Sequence, residues 1–128
     1  PLAGYLLLCQ NLYSEGRPFA KGWNFGPGEQ SEQPVARIIE IFAQTLKGGL
    51  KWEVDETRQP HEAICLKLDS SRARIDLGWR QTLNLAESIA LTVDWYQRDQ
   101  AGESMREYSI EQIRQFELSS ASPPMGRS

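Results

Sequence analysis

The stretch Ile64-Cys65-Leu66-Lys67-Leu68-Asp69-Ser70-Ser71 decides how this sequence is first read. Ile64, Leu66 and Leu68 alternate with Cys65 and Lys67, the period-two pattern of a strand with one buried face. Ser70 then stands as the cap of a short helix over Ser71 to Leu77, stopped by Gly78 and followed by Trp79. Upstream, Leu50 to Val54 reads as another strand, separated from the first by the polar loop Asp55 to Glu62. A third candidate, Gly22-Trp23-Asn24-Phe25, is closed by the turn Gly26-Pro27-Gly28. Mixed with helices, these strands place the chain in the α/β class. About three short strands are too few for a complete doubly wound sheet.

Helical spacing accounts for most of the remainder. Apolar residues at Leu2, Tyr5, Leu6, Cys9, Leu12 and Tyr13 follow the one-face pattern of an amphipathic helix that Gly16 ends. Leu7 and Leu8 lie off that stripe, so this helix calls for partners on more than one side. A second helix carries Val35, Ile38, Ile39, Phe42 and Leu46 behind Pro34, and Gly48-Gly49 closes it. Asn84 with Glu87 three residues on is a capping box for a long helix whose stripe is Leu85 or Ala86, Ile89, Val93 and Tyr96, broadened by Trp95. The same logic starts the last helix at Ser109 with Gln112, and Tyr108 and Ile113 are spaced as a hydrophobic staple. These elements make one region over 1–118, and 119–128 has the Ser- and Pro-rich composition of a tail.

Composition excludes several classes. In 128 residues, 14 basic side chains stand against 17 acidic ones, a net charge of −3 with no basic run. A nucleic-acid binder is therefore not expected. The longest apolar run, Tyr5 to Cys9, is far short of the ~20 residues that span a bilayer. Cys9 and Cys65 sit in apolar stretches without CxxC spacing, which points to small core residues in a reducing, cytoplasmic setting. The tryptophans Trp23, Trp52, Trp79 and Trp95 are likewise expected in or beside the core.

Chemistry is scarce. No G-x-G-x-x-G follows a strand, no Tyr-x-x-x-Lys occurs, and neither a nucleophile elbow nor a P-loop is present. His61 has no second His or Cys at metal-ligand spacing. The loop Asp55-Glu56-Thr57-Arg58-Gln59-Pro60-His61-Glu62 is the one suggestive segment, and Pro60 keeps it from being helical. There, the Arg58 fork suits a phosphate, and His61 can donate to a phosphate oxygen or a ribose hydroxyl. A solvated surface loop is the plainer alternative.

Four groups of residues carry a resemblance. Asn24-Phe25-Gly26-Pro27, Gln59-Pro60-His61-Glu62-Ala63 leading to Leu66-Lys67-Leu68-Asp69-Ser70-Ser71, Leu77-Gly78-Trp79 and Thr92-Val93-Asp94-Trp95-Tyr96 occur in order. From Pro1 to about Phe116 the chain resembles the C-terminal region of the nucleotide-sugar epimerase/dehydratase family, within the extended short-chain dehydrogenase/reductases. Pro60-His61-Glu62-Ala63 with Leu66 to Asp69 is most similar to the branch that dehydrates CDP-glucose. Two departures are Arg72, where Lys is more usual, and Gln81, where Pro usually follows the L-G-W turn. Related dTDP-glucose enzymes have an Arg three residues before an equivalent His, the spacing of Arg58 and His61.

The resemblance implies a C-terminal substrate-binding region with its Rossmann half, which holds NAD, lying before Pro1. It implies a CDP-sugar as substrate, a homo-oligomeric parent enzyme, and substrate-binding roles for His61, Arg58 and Glu62. No catalytic, cofactor-binding or metal-binding residue is expected within these 128 residues, and the chain by itself is expected to be inactive. The alternatives are another nucleotide-sugar enzyme using a dTDP-, UDP- or GDP-sugar, or a free-standing interaction module.

Overall fold

The structure, a computed structural model, describes residues 1–28, 31–46, 50–54 and 68–121. Its elements are helices: α1 Leu2–Glu15, a 3-10 turn Arg17–Phe19, α2 Val35–Thr45, α3 Ser71–Asp76, α4 Leu85–Gln100 and α5 Met105–Ala121. The chain divides into two compact units, one drawn from Pro1–Glu32 with Asp55–Gln81 and the other from Gln33–Val54 with Thr82–Ser128.

The α/β expectation is corrected, because among the described residues there is no strand. Gly22 to Phe25 forms no ladder, and side chains bond the backbone at either end of it. Arg72 Nη1 donates to the Gly22 carbonyl at 2.8 Å, and Ser70 Oγ accepts from the Gly26 N–H at 2.8 Å. A short apolar segment takes sheet structure only beside a neighbour that can share its hydrogen bonds. Leu50 to Val54 is also strand-free and exposed along its length. The Ile64 to Leu68 candidate lies, except for Leu68, outside the described residues.

In the first unit the core is Phe25, Ala73, Leu77 and Trp79, with Leu7, Leu8, Phe19 and Trp23 packed against it. Phe25 stands edge-on to Trp79 and to Tyr5, each with ring centroids 5.3 Å apart. Such edge contacts add stabilisation beyond the buried area. The helix α1 reaches this core through Gly4, where a Cβ would lie 2.4 Å from the Phe25 ring. Only a residue without a side chain lets the two approach so closely.

This placement reverses the expected face of α1. Leu7 and Leu8, off the predicted stripe, are the residues that pack inward. Leu2, Leu6 and Tyr13, which belong to the stripe, are exposed at 76%, 72% and 96%. Cys9 is exposed too, so its expected place in the core is corrected. The small Gly4 lies on the Leu7–Leu8 side, and its close approach to Phe25 fixes which side turns inward.

The second unit is a set of packed helices. The α4 helix packs against α2 and against α5, burying Ile89 and Val93 as the spacing predicts. Tyr96, placed on the same stripe by spacing, is instead exposed. The Asn84–Glu87 capping box forms in full, with the Asn84 side chain accepting from Glu87 N–H and the Glu87 carboxylate from Asn84 N–H. In contrast, α5 begins at Met105 and not at Ser109. Ser109 sits inside the helix, where its hydroxyl accepts from Trp95 Nε1 at 3.0 Å. Of the other tryptophans, Trp79 is buried and Trp23 half-buried, whereas Trp52 is exposed against expectation.

Candidate functional site

The sequence-predicted binding residues Arg58, His61 and Glu62 lie outside the described residues. What is described is the segment that follows them, Leu68-Asp69-Ser70, and it is fastened firmly to Asn24-Phe25-Gly26. Asn24 Nδ2 donates to the Asp69 carbonyl at 3.2 Å, and Gly26 N–H donates to Ser70 Oγ at 2.8 Å. Ser70 is 2% exposed, so this bond satisfies a buried hydroxyl and a buried N–H together. At Gly26 a Cβ would lie 2.8 Å from Leu68 Cβ, which seats Leu68 directly on the turn.

Each residue of Asp69-Ser70-Ser71-Arg72-Ala73 has a structural task. Asp69 Oδ1 accepts from Ser71 N–H at 2.8 Å at the start of α3. Hydrogen bonds from Ser71, side chain before backbone, hold the Asp69 carboxyl below the ordinary carboxylate range. The cap read at Ser70 is therefore supplied by Asp69, because the Ser70 hydroxyl is committed to Gly26. Arg72 reaches back to Gly22, and Ala73 is fully buried with no exposed surface. The Ala73 carbonyl accepts from both Leu77 and Trp79 N–H, which folds Leu77-Gly78-Trp79 back onto the core. Gly78 makes that reversal with φ at 66°. Three of the four sequence motifs thus meet in one small core, and their described residues serve to hold it.

Gln81, read from the sequence as a departure from the resembled pattern, contributes a clamp of its own. Its Oε1 accepts from Gly28 N–H at 2.5 Å and its Nε2 donates to Ser31 Oγ at 3.1 Å. A proline would carry neither bond. The turn Gly26-Pro27-Gly28 is thereby filled: Leu68 covers Gly26, and Gln81 takes the Gly28 N–H. It does not fit a dinucleotide phosphate, which needs free N–H groups at an open glycine turn leading into a helix. No described segment supplies such a cradle. Among the described residues no group of three or more His, Cys, Asp or Glu could hold a metal ion. Nor is any described helix long and apolar enough to cross a membrane.

The fourth motif, Thr92 to Tyr96, lies on α4 and builds a polar seam with α5. Asp94 accepts from the Tyr108 hydroxyl and, at 3.3 Å, from Arg98 Nε. Arg98 also lies 4.3 Å from the centre of the Tyr108 ring and donates to Glu103 at 2.9 Å. Gln112 Nε2 completes the seam, donating to the Leu91 carbonyl at 3.1 Å and the Tyr108 oxygen at 3.2 Å. The Tyr108 hydrogen bond, ahead of Arg98, holds the Asp94 carboxyl below its ordinary range. The same bond, with burial second, raises the Tyr108 hydroxyl above the ordinary tyrosine range. Beside the seam an open concavity is lined by Leu91, Thr92, Trp95, Tyr96 and Gln112. Gln112 is tied to Leu91 and Trp95 to Ser109, and the arrangement offers helix-to-helix attachment.

Sequence reasoning missed Asn24, Ser70 and Tyr108 as joints. For Ser70 and Tyr108 the local signals were real but were assigned to helix starts. For Asn24 the sequence holds no local signal, since its partner is 45 residues away.

No family model matches the chain. The chain is similar to the CDP-glucose 4,6-dehydratase of Salmonella typhimurium, with 36% identity over 116 residues. The match takes in 91% of this chain and 32% of that protein, so the chain spans about a third of its relative's length. The similarity bears out the resemblance that the ordered motifs carry.

Proposed function

We propose that the chain is the C-terminal, substrate-binding part of a nucleotide-sugar dehydratase acting on CDP-glucose. The observation that carries this reading is the similarity to a CDP-glucose 4,6-dehydratase along nearly the whole chain. The fold supports it, because the shared motifs Asn24 to Pro27, Leu68 to Ala73 and Leu77 to Trp79 act as one packed unit.

In this reading His61 donates to a phosphate oxygen or ribose hydroxyl of the nucleotide, Arg58 grips phosphate with its fork, and Glu62 accepts from a sugar or ribose hydroxyl. The parent reaction removes water from CDP-glucose and leaves CDP-4-keto-6-deoxyglucose, a precursor of the dideoxy sugars of surface polysaccharide such as O-antigen. NAD would be held by the portion outside this chain and supply the transient oxidation that the elimination needs. The acid, base and proton-relay groups would lie in that portion too. The parent would be a cytoplasmic homo-oligomer, with no nucleic acid or membrane as partner.

Competition of CDP, UDP, dTDP and GDP for the complete native protein tests the assignment. CDP should bind tightest, and His61→Ala should weaken it about tenfold or more, as expected for a lost hydrogen bond to a charged group. Preference for another nucleotide would move the chain to a sister enzyme of the same superfamily. Turnover of a sugar nucleotide by the isolated 128-residue chain would contradict the proposed division of labour.

A further inference from the structure

The last helix is attached in a way that sets it apart from its neighbour. None of Met105 to Ser120 on α5 is fully buried, whereas α4 buries Ile89 and Val93. Met105, Ile110 and Phe116 are only half-buried. The directed attachments of α5 are polar: Ser109 to Trp95, Gln112 to the Leu91 carbonyl, Tyr108 to Asp94, and Ser120 to Thr82. Few buried apolar contacts and solvent-accessible hydrogen bonds mark an element that opens ahead of the rest. The connection before it is short, Ala101 to Ser104, and Gly102 turns it with φ at 78°.

One carboxylate gathers most of these attachments. Asp94 accepts from the Tyr108 hydroxyl of α5 and, at 3.3 Å, from Arg98 Nε of its own helix. Arg98 in turn lies over the Tyr108 ring and donates to Glu103, in the connection, at 2.9 Å. Glu107 and Glu111 of α5 line the same open recess as Arg98 and Tyr108. On α2, the other helix packed against α4, Arg37 and Glu40 pair with each other at 2.8 Å. The Asp94 side chain is 46% exposed, so a proton reaches it without prior unfolding. A neutral Asp94 no longer attracts Arg98, and its bond from Tyr108 loses the charge that makes such bonds roughly twice as strong. We infer that α5 is a latched arm, held on α4 through Asp94 and released as a unit when that carboxylate takes up a proton. Release frees the Trp95 indole N–H and opens the concavity that Leu91, Thr92, Trp95 and Tyr96 share with Gln112. The Tyr108 hydrogen bond, ahead of Arg98, places the folded Asp94 value below the ordinary range. The latch is therefore whole at neutral pH and weakens as pH falls through that value.

Amide hydrogen exchange of the complete native protein, read by mass spectrometry and corrected for intrinsic rates, tests the latch. Between about pH 7 and about pH 3, the opening constants of α5 amides should rise about three- to tenfold more than those of α4. Asp94→Asn should bring α5 close to its acid opening constant already at neutral pH and remove most of the acid response. Tyr108→Phe, which leaves the Arg98–Glu103 pair in place, should also raise α5 opening at neutral pH. Circular dichroism of both variants should show unchanged helix content there. Glu103 titrates in the same range, and Glu103→Gln should keep the larger part of the acid response. Three results would overturn the inference: α5 and α4 amides responding in parallel, a full acid response retained in Asp94→Asn, or an acid response abolished in Glu103→Gln.

Discussion

The two units use the same residue types to different ends. In the first, side chains tie backbone groups that are far apart in sequence: Gly26 to Ser70 across 44 residues, Asn24 to Asp69 across 45, and Gly22 to Arg72 across 50. In the second, side chains join one helix to the next over shorter spans, Trp95 to Ser109 across 14 residues and Leu91 to Gln112 across 21. The first unit has a buried aromatic centre and few helical turns against it. The second has longer helices with small buried contacts at Ile89 and Val93. Damage to the centre should therefore be costly in the first unit, whereas in the second it should be spread over several modest contacts.

Phe25→Ala is the sharpest way to test that difference. It empties the space between Tyr5, Gly4 and Trp79, and should cost about 3–5 kcal/mol in urea unfolding. A loss below ~1 kcal/mol would remove the aromatic centre as the organiser of the first unit. Ser70→Ala comes next. It strands a buried N–H at Gly26, and about 1–3 kcal/mol should be lost in the same measurement. Ser70→Thr, which keeps the hydroxyl, should recover part of that loss.

Effects in the second unit should be smaller. Asn84→Ala removes half of the capping box on α4 and should cost about 1 kcal/mol by thermal or urea melting. Tyr108→Phe should change stability least, well under ~1 kcal/mol at neutral pH, because its partners Asp94 and Arg98 are half-exposed. Its signature is the pH dependence. The lowered Asp94 value gives a contribution present above the ordinary aspartate range and lost as pH falls through the folded value. The raised Tyr108 value gives one present below the ordinary tyrosine range and lost as pH rises through the folded value. Tyr108→Phe should flatten both the acid and the alkaline limb of the stability curve. An unchanged acid limb would show that Asp94 is held by Arg98 alone.

The helices were legible because their signals are local. The stripe of α4, the glycine ending α1 with φ at 72°, and the Asn84–Glu87 box all act within a few residues. Reading failed where one local pattern has two uses. Ser109 and Gln112 have capping-box spacing, yet both lie inside α5 and face α4, because a Ser and a Gln three residues apart serve a helix seam equally well. The strand candidate Gly22 to Phe25 forms no sheet, since a sheet depends on a neighbour that local pattern does not specify. The reversed face of α1 follows from Gly4 meeting Phe25, a tertiary fit invisible to a hydropathy stripe. Of the candidate site, the expected loop that carries His61 lies outside the described residues, and the structure contributes the joint of Leu68 to Ser70 with Asn24 to Gly26.

That joint also bears on how the family can change. The hydrogen bond from Gly26 to Ser70 closes a long ring of chain, and ring-closure entropy grows only logarithmically with length, about 0.6 kcal/mol for each doubling. Insertions or deletions in the connections between these two residues, outside α2, are thus thermodynamically cheap so long as the Ser hydroxyl and the side-chain-free glycine survive. Length variation among homologues should concentrate inside the ring, leaving Gly26 and Ser70 as its fixed posts.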